Sequence, residues 1–233
     1  MIRVTENLRK ISESIAATAR RAGRDPASVT LVAVAKRQPL ERVREAAAAG
    51  QRDFGENFLQ EALETMDALD GENLIWHFIG AIQSNKTRPI AEHFDWVHTV
   101  DRAKIARRLN EQRPPDRPPL NICIQVNVDD EETKSGCAPE ATAGLAATIS
   151  EMPRLRLRGL MCIPAPAEDL EAQRRPFARL RSLLGDLNRA GYGLDTLSMG
   201  MSADLEAAIL EGATLVRVGT DVFGPRPDRV ASA

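Results

Sequence analysis

Residues 30–50, TLVAVAKRQPLERVREAAAAG, contain the unit that decides the fold. Leucine, valine and alanine dominate Thr30–Ala35, and this composition predicts a buried strand. Pro39 then favours a turn, and the spacing of apolar residues in Leu40–Ala49 predicts a helix that Gly50 ends. The unit is therefore a strand followed by a turn and a helix.

The same alternation continues along the chain. Further strands are predicted over Arg52–Gly55, Leu74–Ile79, Asp95–Val100, Leu120–Val128, Leu155–Ile163, Thr196–Met199 and Thr214–Gly219. Further helices are predicted over Asn57–Leu69, Asn85–Glu92, 101–112 with Asp101 as the cap, Pro139–Glu151, Leu170–Ala190 and Ala203–Glu211. About eight strands joined by single helices predict an α/β fold, a single parallel (β/α)8 TIM barrel. A doubly wound open sheet is the alternative, although no GxGxxG follows the first strand.

An extra helix, Val4–Ala22, precedes the first strand and is expected to pack outside the barrel or to cover one end. The chain has 233 residues, 43% of them hydrophobic and only 4% aromatic, which suits one domain over residues 1–233 with an aliphatic core. The last residues, 225–233, are expected to form a flexible tail. The loop before the sixth helix is predicted over Asp129–Gly136.

The charge and the cysteines limit the classes of protein and the compartment. A net charge of −2 gives no field that would attract nucleic acid or an anionic membrane. The three cysteines form no CxxC pair, and no apolar run is long enough to span a bilayer. We therefore expect a cytoplasmic protein.

Lys36 stands where the first strand ends. Side chains alternate along a strand, so Val32, Val34 and Lys36 point to the same face. An amine held against apolar surface is pushed toward its neutral, nucleophilic form, which imine formation with an aldehyde requires. The other interpretation is a lysine that rests its stem on the core and keeps its amine in water.

Barrels of this kind gather the side chains at the carboxyl ends of their strands around one mouth. The predicted strand ends carry Lys36, Glu56, Asn57, His77, Gly80, His98, Asn127, Met161, Cys162, Met199-Gly200-Met201-Ser202, Arg217, Gly219 and Thr220. Buried polar groups need a ligand or one another as partners, so the mouth is the predicted site. At least one of Asp53, Glu56 and Asn57 is expected to serve only as a helix cap.

Two turns after the last two strands are typical of a phosphate site. Met199-Gly200-Met201-Ser202 runs from a strand into a predicted helix start, where unpaired N–H groups favour an anion. Gly219 and Thr220 add a second turn with a hydroxyl. In the alternative interpretation, Ser202 is an ordinary helix cap and Gly219 an ordinary turn residue.

Arg217 shares a strand face with Gly219 and is expected to point toward the mouth, where a buried guanidinium needs an acceptor. A surface ion pair is the alternative. His77 by itself is more typical of a core than of a site. His93 and His98 have no metal-ligand spacing with His77 or with the cysteines, so no metal is predicted.

A lysine that forms imines, a phosphate site and an arginine between them fit one cofactor, pyridoxal 5′-phosphate. The sequence also resembles the YggS/PROSC family of pyridoxal phosphate homeostasis proteins over nearly its whole length. The motifs that carry the resemblance are Leu31–Lys36 with Pro39, Phe54–Asn57, Trp76–Gly80, Gln83–Lys86, Val100–Arg102, Gly159–Met161, Leu197–Asp204 and Val216–Thr220.

The resemblance implies a barrel like the N-terminal domain of alanine racemase and a cofactor joined to Lys36 as a Schiff base. It further implies roles for residues at the mouth: Ser202, Gly219 and Thr220 bind the phosphate, Arg217 faces the pyridine nitrogen, and Asn57 and His77 line the pocket. It also implies a role in holding the cofactor for the cell.

An arginine at the pyridine nitrogen disfavours protonation of the ring and makes it a weak electron sink. The single tyrosine, Tyr192, precedes the seventh strand and would emerge at the opposite end. We therefore expect a carrier without strong catalysis, a monomer that passes the cofactor to apo-enzymes. A racemase-like enzyme is the alternative, and a barrel for another phosphorylated metabolite, with Lys36 purely electrostatic, is a third class.

Overall fold

The computed structural model describes residues 3–129 and 135–225. In these residues eight parallel strands pair in chain order, and the last strand pairs with the first to close a barrel. The strands are β1 Thr30–Val34, β2 Asp53–Glu56, β3 Ile75–Phe78, β4 Trp96–Val100, β5 Leu120–Gln125, β6 Leu155–Met161, β7 Thr196–Ser198 and β8 Leu215–Val218. The closed sheet confirms the predicted barrel and excludes the doubly wound alternative.

Helices alternate with these strands and cover the outside of the barrel. They are α1 Val4–Arg21, α2 Leu40–Ala48, α3 Leu59–Ala68, α4 Thr87–His93, α5 Ala103–Gln112, α6 Thr142–Ser150, α7 Leu170–Arg189, α8 Leu205–Leu210 and α9 Thr220–Phe223. Short 3-10 turns lie at Pro26–Ser28, Ser84–Lys86 and Pro139–Ala141. None of the helices in the described ranges is long and apolar enough to cross a membrane.

The two faces of each strand meet different surroundings. In β1, Ala33 is fully buried in the apolar layer between the sheet and the helices. Val32 and Val34 are also buried, and a Cβ on Gly55 of the neighbouring strand would contact both of them. Val32, Val34 and Gly55 therefore face the barrel interior, as alternation along the strand requires.

The first helix packs on the outside of the barrel. Its buried residues, among them Leu8, Ile11 and Ile15, recur at helical spacing and form one apolar stripe. This stripe packs α1 beside α8, α9 and α2. Asn7 adds a hydrogen bond from its side-chain nitrogen to the carbonyl of Val222, at 3.0 Å. Of the two positions expected for this helix, the outer one is confirmed.

Several predicted boundaries are wrong at the mouth. The strands predicted to reach Val128 and Ile163 end at Gln125 and Met161. Beyond β5, the described residues keep one isolated bridge, between Val126 and Cys137. The predicted strands were too long because the apolar character of these segments continues past the point where the backbone stops pairing.

Two helix starts were also predicted too early, because the chain leaves each strand through a turn. The helices after β2 and β7 begin at Leu59 and Leu205. The cap of α3 is Phe58, so the expectation that Asp53, Glu56 or Asn57 caps this helix is wrong.

The predicted cap of α5 is wrong as well. Arg102, not Asp101, holds the cap position, and the Asp101 carboxylate accepts a hydrogen bond from the Arg102 guanidinium at 2.7 Å. A short helix, α9, follows β8, where no helix was predicted. The predictions for residues 130–134 of the loop and for the tail after residue 225 lie outside the described residues.

Replacing Ile11 by alanine is expected to lower the free energy of unfolding by roughly 2–5 kcal/mol, because it leaves a cavity under α1. Urea denaturation followed by circular dichroism measures this change. Ser12→Ala, at an exposed position on the same helix, is the matched control and should change it by less than about 0.5 kcal/mol. Equal losses in both variants would show that the α1 stripe does not stabilise the barrel.

Candidate functional site

A cavity of about 280 Å³ opens at the carboxyl ends of the strands. Its lining residues come from the ends of strands on both sides of the β1–β8 seam and from the turns that follow β6 and β7. They are Val34, Lys36, Gln38, Asn57, Ile79, Ile163, Met201, Ser202, Ala203, Arg217, Gly219 and Thr220. The predicted mouth is therefore a real concave site.

The cavity brings together most of the residues expected from the sequence. Lys36, Asn57, Ser202, Arg217, Gly219 and Thr220 all line it. Met199, Gly200 and His77 do not, although each was predicted to belong to the site. Met201, which the sequence also placed at the mouth, lines the cavity too, and the wall is completed by Gln38, Ile79, Ile163 and Ala203, which were not predicted.

Lys36 reaches the cavity because β1 ends two residues before it. Val34, the last residue of the strand, and Lys36 both line the cavity, as the predicted alternation requires. The next residue, Arg37, has a positive φ of 57°, a conformation that is uncommon for a residue with a side chain. The amide of Gln38 closes this tight turn on the carbonyl of Ala35 at 2.9 Å. The turn therefore reverses the chain directly after Lys36 and fixes the place where the lysine leaves the strand.

Arg217 is a buried cation in the cavity wall, with only 4% of its surface exposed. One nitrogen of its guanidinium donates to the hydroxyl of Ser198 at 2.6 Å, and another donates to the carbonyl of Cys162 at 2.9 Å. Burial lowers the pKa of Arg217 from its usual value, but a guanidinium in a protein remains protonated. Both contacts are to neutral oxygens. The alternative of a surface ion pair is therefore excluded.

Asn57 lines the cavity and carries an unsatisfied acceptor. Its side-chain oxygen is buried and has no hydrogen-bond partner within the described residues. Its backbone is held from behind by Gly80, where a Cβ would overlap the Asn57 carbonyl. Thr99 secures Gly80 in turn by a hydrogen bond to its carbonyl at 2.6 Å. A buried acceptor without a partner is costly, so this atom points to a ligand that donates a hydrogen bond.

The two turns after β7 and β8 form the other side of the cavity. Gly200 has a φ of 94°, and a Cβ there would clash with Ala208, so this glycine makes the turn rather than the wall. Ser202 follows and lines the cavity. The cap of α8 is Asp204, whose carboxylate accepts from the amide of Met201 at 2.6 Å. The expectation of Ser202 as an ordinary helix cap is therefore wrong.

His77 lies one layer deeper than the cavity. Ile79, two residues further along the same side of the chain, lines the wall, whereas His77 is fully buried and contacts His98 and Asp53. Ser198, which forms hydrogen bonds with His98 and Arg217, was not among the predicted site residues. The signal for Ser198 was a polar residue inside an otherwise apolar strand end.

Glu56 lies outside the cavity, although the sequence placed it at the mouth. It points away from Asp53 and Gly55, toward the helix side of the sheet, and lines a separate hollow with Glu61 and Glu64. Burial, with the negative charge of Glu61 as the next cause, raises the pKa of Glu56 to about 8. One of its carboxyl oxygens is buried without a partner in the part of the chain that the structure describes.

The comparisons with known proteins agree with this architecture. The family model of the alanine racemase N-terminal domain matches residues 7–227. A pyridoxal phosphate homeostasis protein of Pseudomonas aeruginosa is 62% identical over 226 residues, which are 97% of each chain. The chain belongs to the alanine racemase N-terminal domain family and, within it, to the pyridoxal phosphate homeostasis proteins.

Solved structures show the same barrel. The structure of PipY from Synechococcus elongatus with PLP bound has a TM-score of 0.81 and 36% identity, and the match covers 95% of this chain and 100% of PipY. Alanine racemase from Corynebacterium glutamicum has a TM-score of 0.69 at 18% identity, with 96% of this chain and 62% of the racemase covered. The likeness to the racemase is one of fold.

Replacing Glu56 by glutamine tests the neutral state of this carboxyl. The folded pKa of about 8 lies above the usual value of 4.5 for a glutamate, so the contribution of Glu56 to stability is full below pH 4.5. It is lost as the pH rises toward 8, by an amount on the order of a few kcal/mol. Glu56→Gln removes this loss, so the variant should gain stability relative to the parent between pH 5 and pH 8.

Urea denaturation at these two pH values measures the gain. Glu72→Gln, at an exposed position, is the control and should give a constant difference from the parent. A constant difference for Glu56→Gln as well would contradict the raised pKa.

Proposed function

We propose that the mouth cavity binds pyridoxal 5′-phosphate and that the protein holds this cofactor and passes it to apo-enzymes, without strong catalysis of its own. The observation that carries the proposal is the composition of one wall: a lysine amine, a buried guanidinium and two turns with hydroxyl groups line the same cavity. The names of the relatives support the same cofactor.

The residues fit the groups of this cofactor one by one. Ser202 and Thr220 offer hydroxyl donors on two turns for a phosphate, which needs several donors. Arg217 only donates, so its partner must accept, as an unprotonated pyridine nitrogen does. The orphan oxygen of Asn57 needs a donor, and a ring hydroxyl is one.

When bound, the cofactor supplies an aldehyde that condenses reversibly with a primary amine with loss of water. Lys36 is the amine that would hold it, because it is the lysine in the cavity wall. A reversible covalent bond keeps a reactive aldehyde away from other amines and still allows its release. These are the two properties that a carrier needs.

The same wall argues against amino-acid chemistry. Among the described residues that line the cavity there is no carboxylate, histidine, tyrosine or cysteine, so a proton at a substrate carbon could be moved only by Lys36. Arg217 places a positive charge where an enzyme that needs a strong electron sink places a carboxylate. Tyr192 lies in the turn before β7, at the amino end of that strand and away from the cavity.

The rim of the cavity suits exchange with a partner. Ile163 and Met201 line the cavity and are exposed at 41% and 38% of their surfaces. An apolar edge of this kind is a surface on which an apo-enzyme can dock while the cofactor is passed over. We propose that a monomer carries out this transfer.

Borohydride reduction of the protein loaded with pyridoxal 5′-phosphate is expected to leave one adduct, on the peptide that contains Lys36. Mass spectrometry of the digested protein locates it. Lys36→Ala should lose the adduct and the visible absorption band, whereas Lys104→Ala, at an exposed position on α5, should keep both. An adduct on another lysine, or no adduct in the parent protein, would overturn the proposal. If pyridoxal 5′-phosphate binds but leaves no adduct, the result would favour a purely electrostatic role for Lys36.

Racemisation assays test the enzyme alternative. With the loaded protein and alanine, serine or glutamate, we expect turnover far below the roughly 1–1000 per second typical of enzymes, because the described residues of the wall include no second base. Chiral chromatography of the amino acid measures the rate, and Lys36→Ala gives the background. Turnover within the typical range would replace the carrier with a racemase.

A further inference from the structure

Five side chains form a continuous row of hydrogen bonds through the barrel interior. The Asp53 carboxylate lies 3.0 Å from Nε2 of His77, and Nδ1 of His77 lies 2.9 Å from Nε2 of His98. Nδ1 of His98 lies 2.7 Å from the hydroxyl of Ser198, which in turn lies 2.6 Å from the guanidinium of Arg217. The row links the amino end of β2 to the cavity wall.

The direction of every bond follows from the two ends of the row, because the Asp53 carboxylate only accepts and the Arg217 guanidinium only donates. Nε2 of His77 therefore donates to Asp53, and a neutral His77 accepts at Nδ1 from Nε2 of His98. A neutral His98 then accepts at Nδ1 from the hydroxyl of Ser198, whose oxygen accepts from Arg217.

The burial of the row supports this single arrangement. His77, His98 and Ser198 are fully buried, whereas the Asp53 side chain is 20% exposed. A second positive charge beside Arg217 would be costly, and burial together with the charge of Arg217 lowers the pKa of His98 well below its usual value. Trp96 stacks on His77 with ring centres 5.6 Å apart and fixes its plane.

We propose that the other members of the row are positioning residues for Arg217: Asp53, His77, His98 and Ser198. In this arrangement both histidines are neutral and carry their proton on Nε2. Arg217 donates to neutral oxygens at Ser198 and Cys162, and the row polarises toward the Asp53 carboxylate, which balances the buried cation from the far end of the barrel. The consequence for the ligand rests on the proposed function: the row keeps the Arg217 guanidinium directed at the place that the pyridine nitrogen of the cofactor would occupy.

The tautomers can be measured without any cofactor. The chain has three histidines, so long-range proton–nitrogen NMR spectra of the apo-protein at pH 7 resolve all of them, with the exposed His93 as the internal reference. The proposal expects the Nε2–H pattern at His77 and His98. An imidazolium or an Nδ1–H tautomer at either residue would overturn it, whether or not the protein binds pyridoxal 5′-phosphate.

Two variants test the link to the cavity. Ser198→Ala removes one of the two acceptors of Arg217, and Asp53→Asn replaces the carboxylate at the far end of the row. In Ser198→Ala we expect borohydride still to mark Lys36, but the dissociation constant for pyridoxal 5′-phosphate to rise roughly tenfold and the absorption band to shift. Asp53→Asn should weaken binding in the same direction and add a second tautomer signal at His77 and His98. Asp70→Asn, at an exposed position, is the control and should do neither.

The outcomes separate this proposal from the function it rests on. Absence of an adduct in the parent protein contradicts the cofactor, while the apo spectra still decide the arrangement of the row. Folded Ser198→Ala and Asp53→Asn proteins with parental affinity and absorption would overturn the positioning role. If Ser198→Ala does not fold, the affinity and the histidine spectra of Asp53→Asn give the decision.

Discussion

The pairing of the first strand with the last is the constraint on which the rest of the structure depends. In this seam Val32 lies opposite Arg217, and Ala33 lies opposite Val218. The amine that follows β1 and the guanidinium and turn of β8 therefore come from the two strands that close the barrel. A Cβ on Gly219 would lie 3.3 Å from the Val34 carbonyl, so even a small side chain there would press on the seam. The wall of the cavity is therefore complete only when these two strands pair and the barrel is closed.

Asp53 and Glu56 lie on opposite faces of β2 and therefore meet different electrostatic surroundings. On the interior face, Asp53 and His77 belong to the hydrogen-bonded row that ends at Arg217. Glu56, on the other face of the same strand as Asp53, has an unsatisfied oxygen and is kept neutral by burial. Within four residues, one strand thus carries a carboxylate that joins the row and a carboxyl whose pKa burial raises, because its two faces offer different surroundings.

Local pattern was sufficient for the barrel and for much of the cavity. Apolar runs and glycine stops gave the strands, and strand ends led to Lys36, Arg217, Ser202 and Thr220, because the carboxyl ends of a parallel barrel share one mouth. Strict alternation would also have placed Glu56 on the helix side with Phe54. The row could not be predicted in this way: His98 and Ser198 are 100 residues apart, and nothing in either strand alone indicates which polar atom it will meet.

The position of α1 has a consequence for the growing chain. This helix is synthesised long before α8 and α9, which cover its apolar stripe in the finished barrel. On the ribosome the stripe therefore faces water, or a chaperone, until the final strand and its flanking helices have emerged. Throughout that interval Lys36 exists without Arg217, so the wall of the cavity cannot assemble before β8 has left the ribosome.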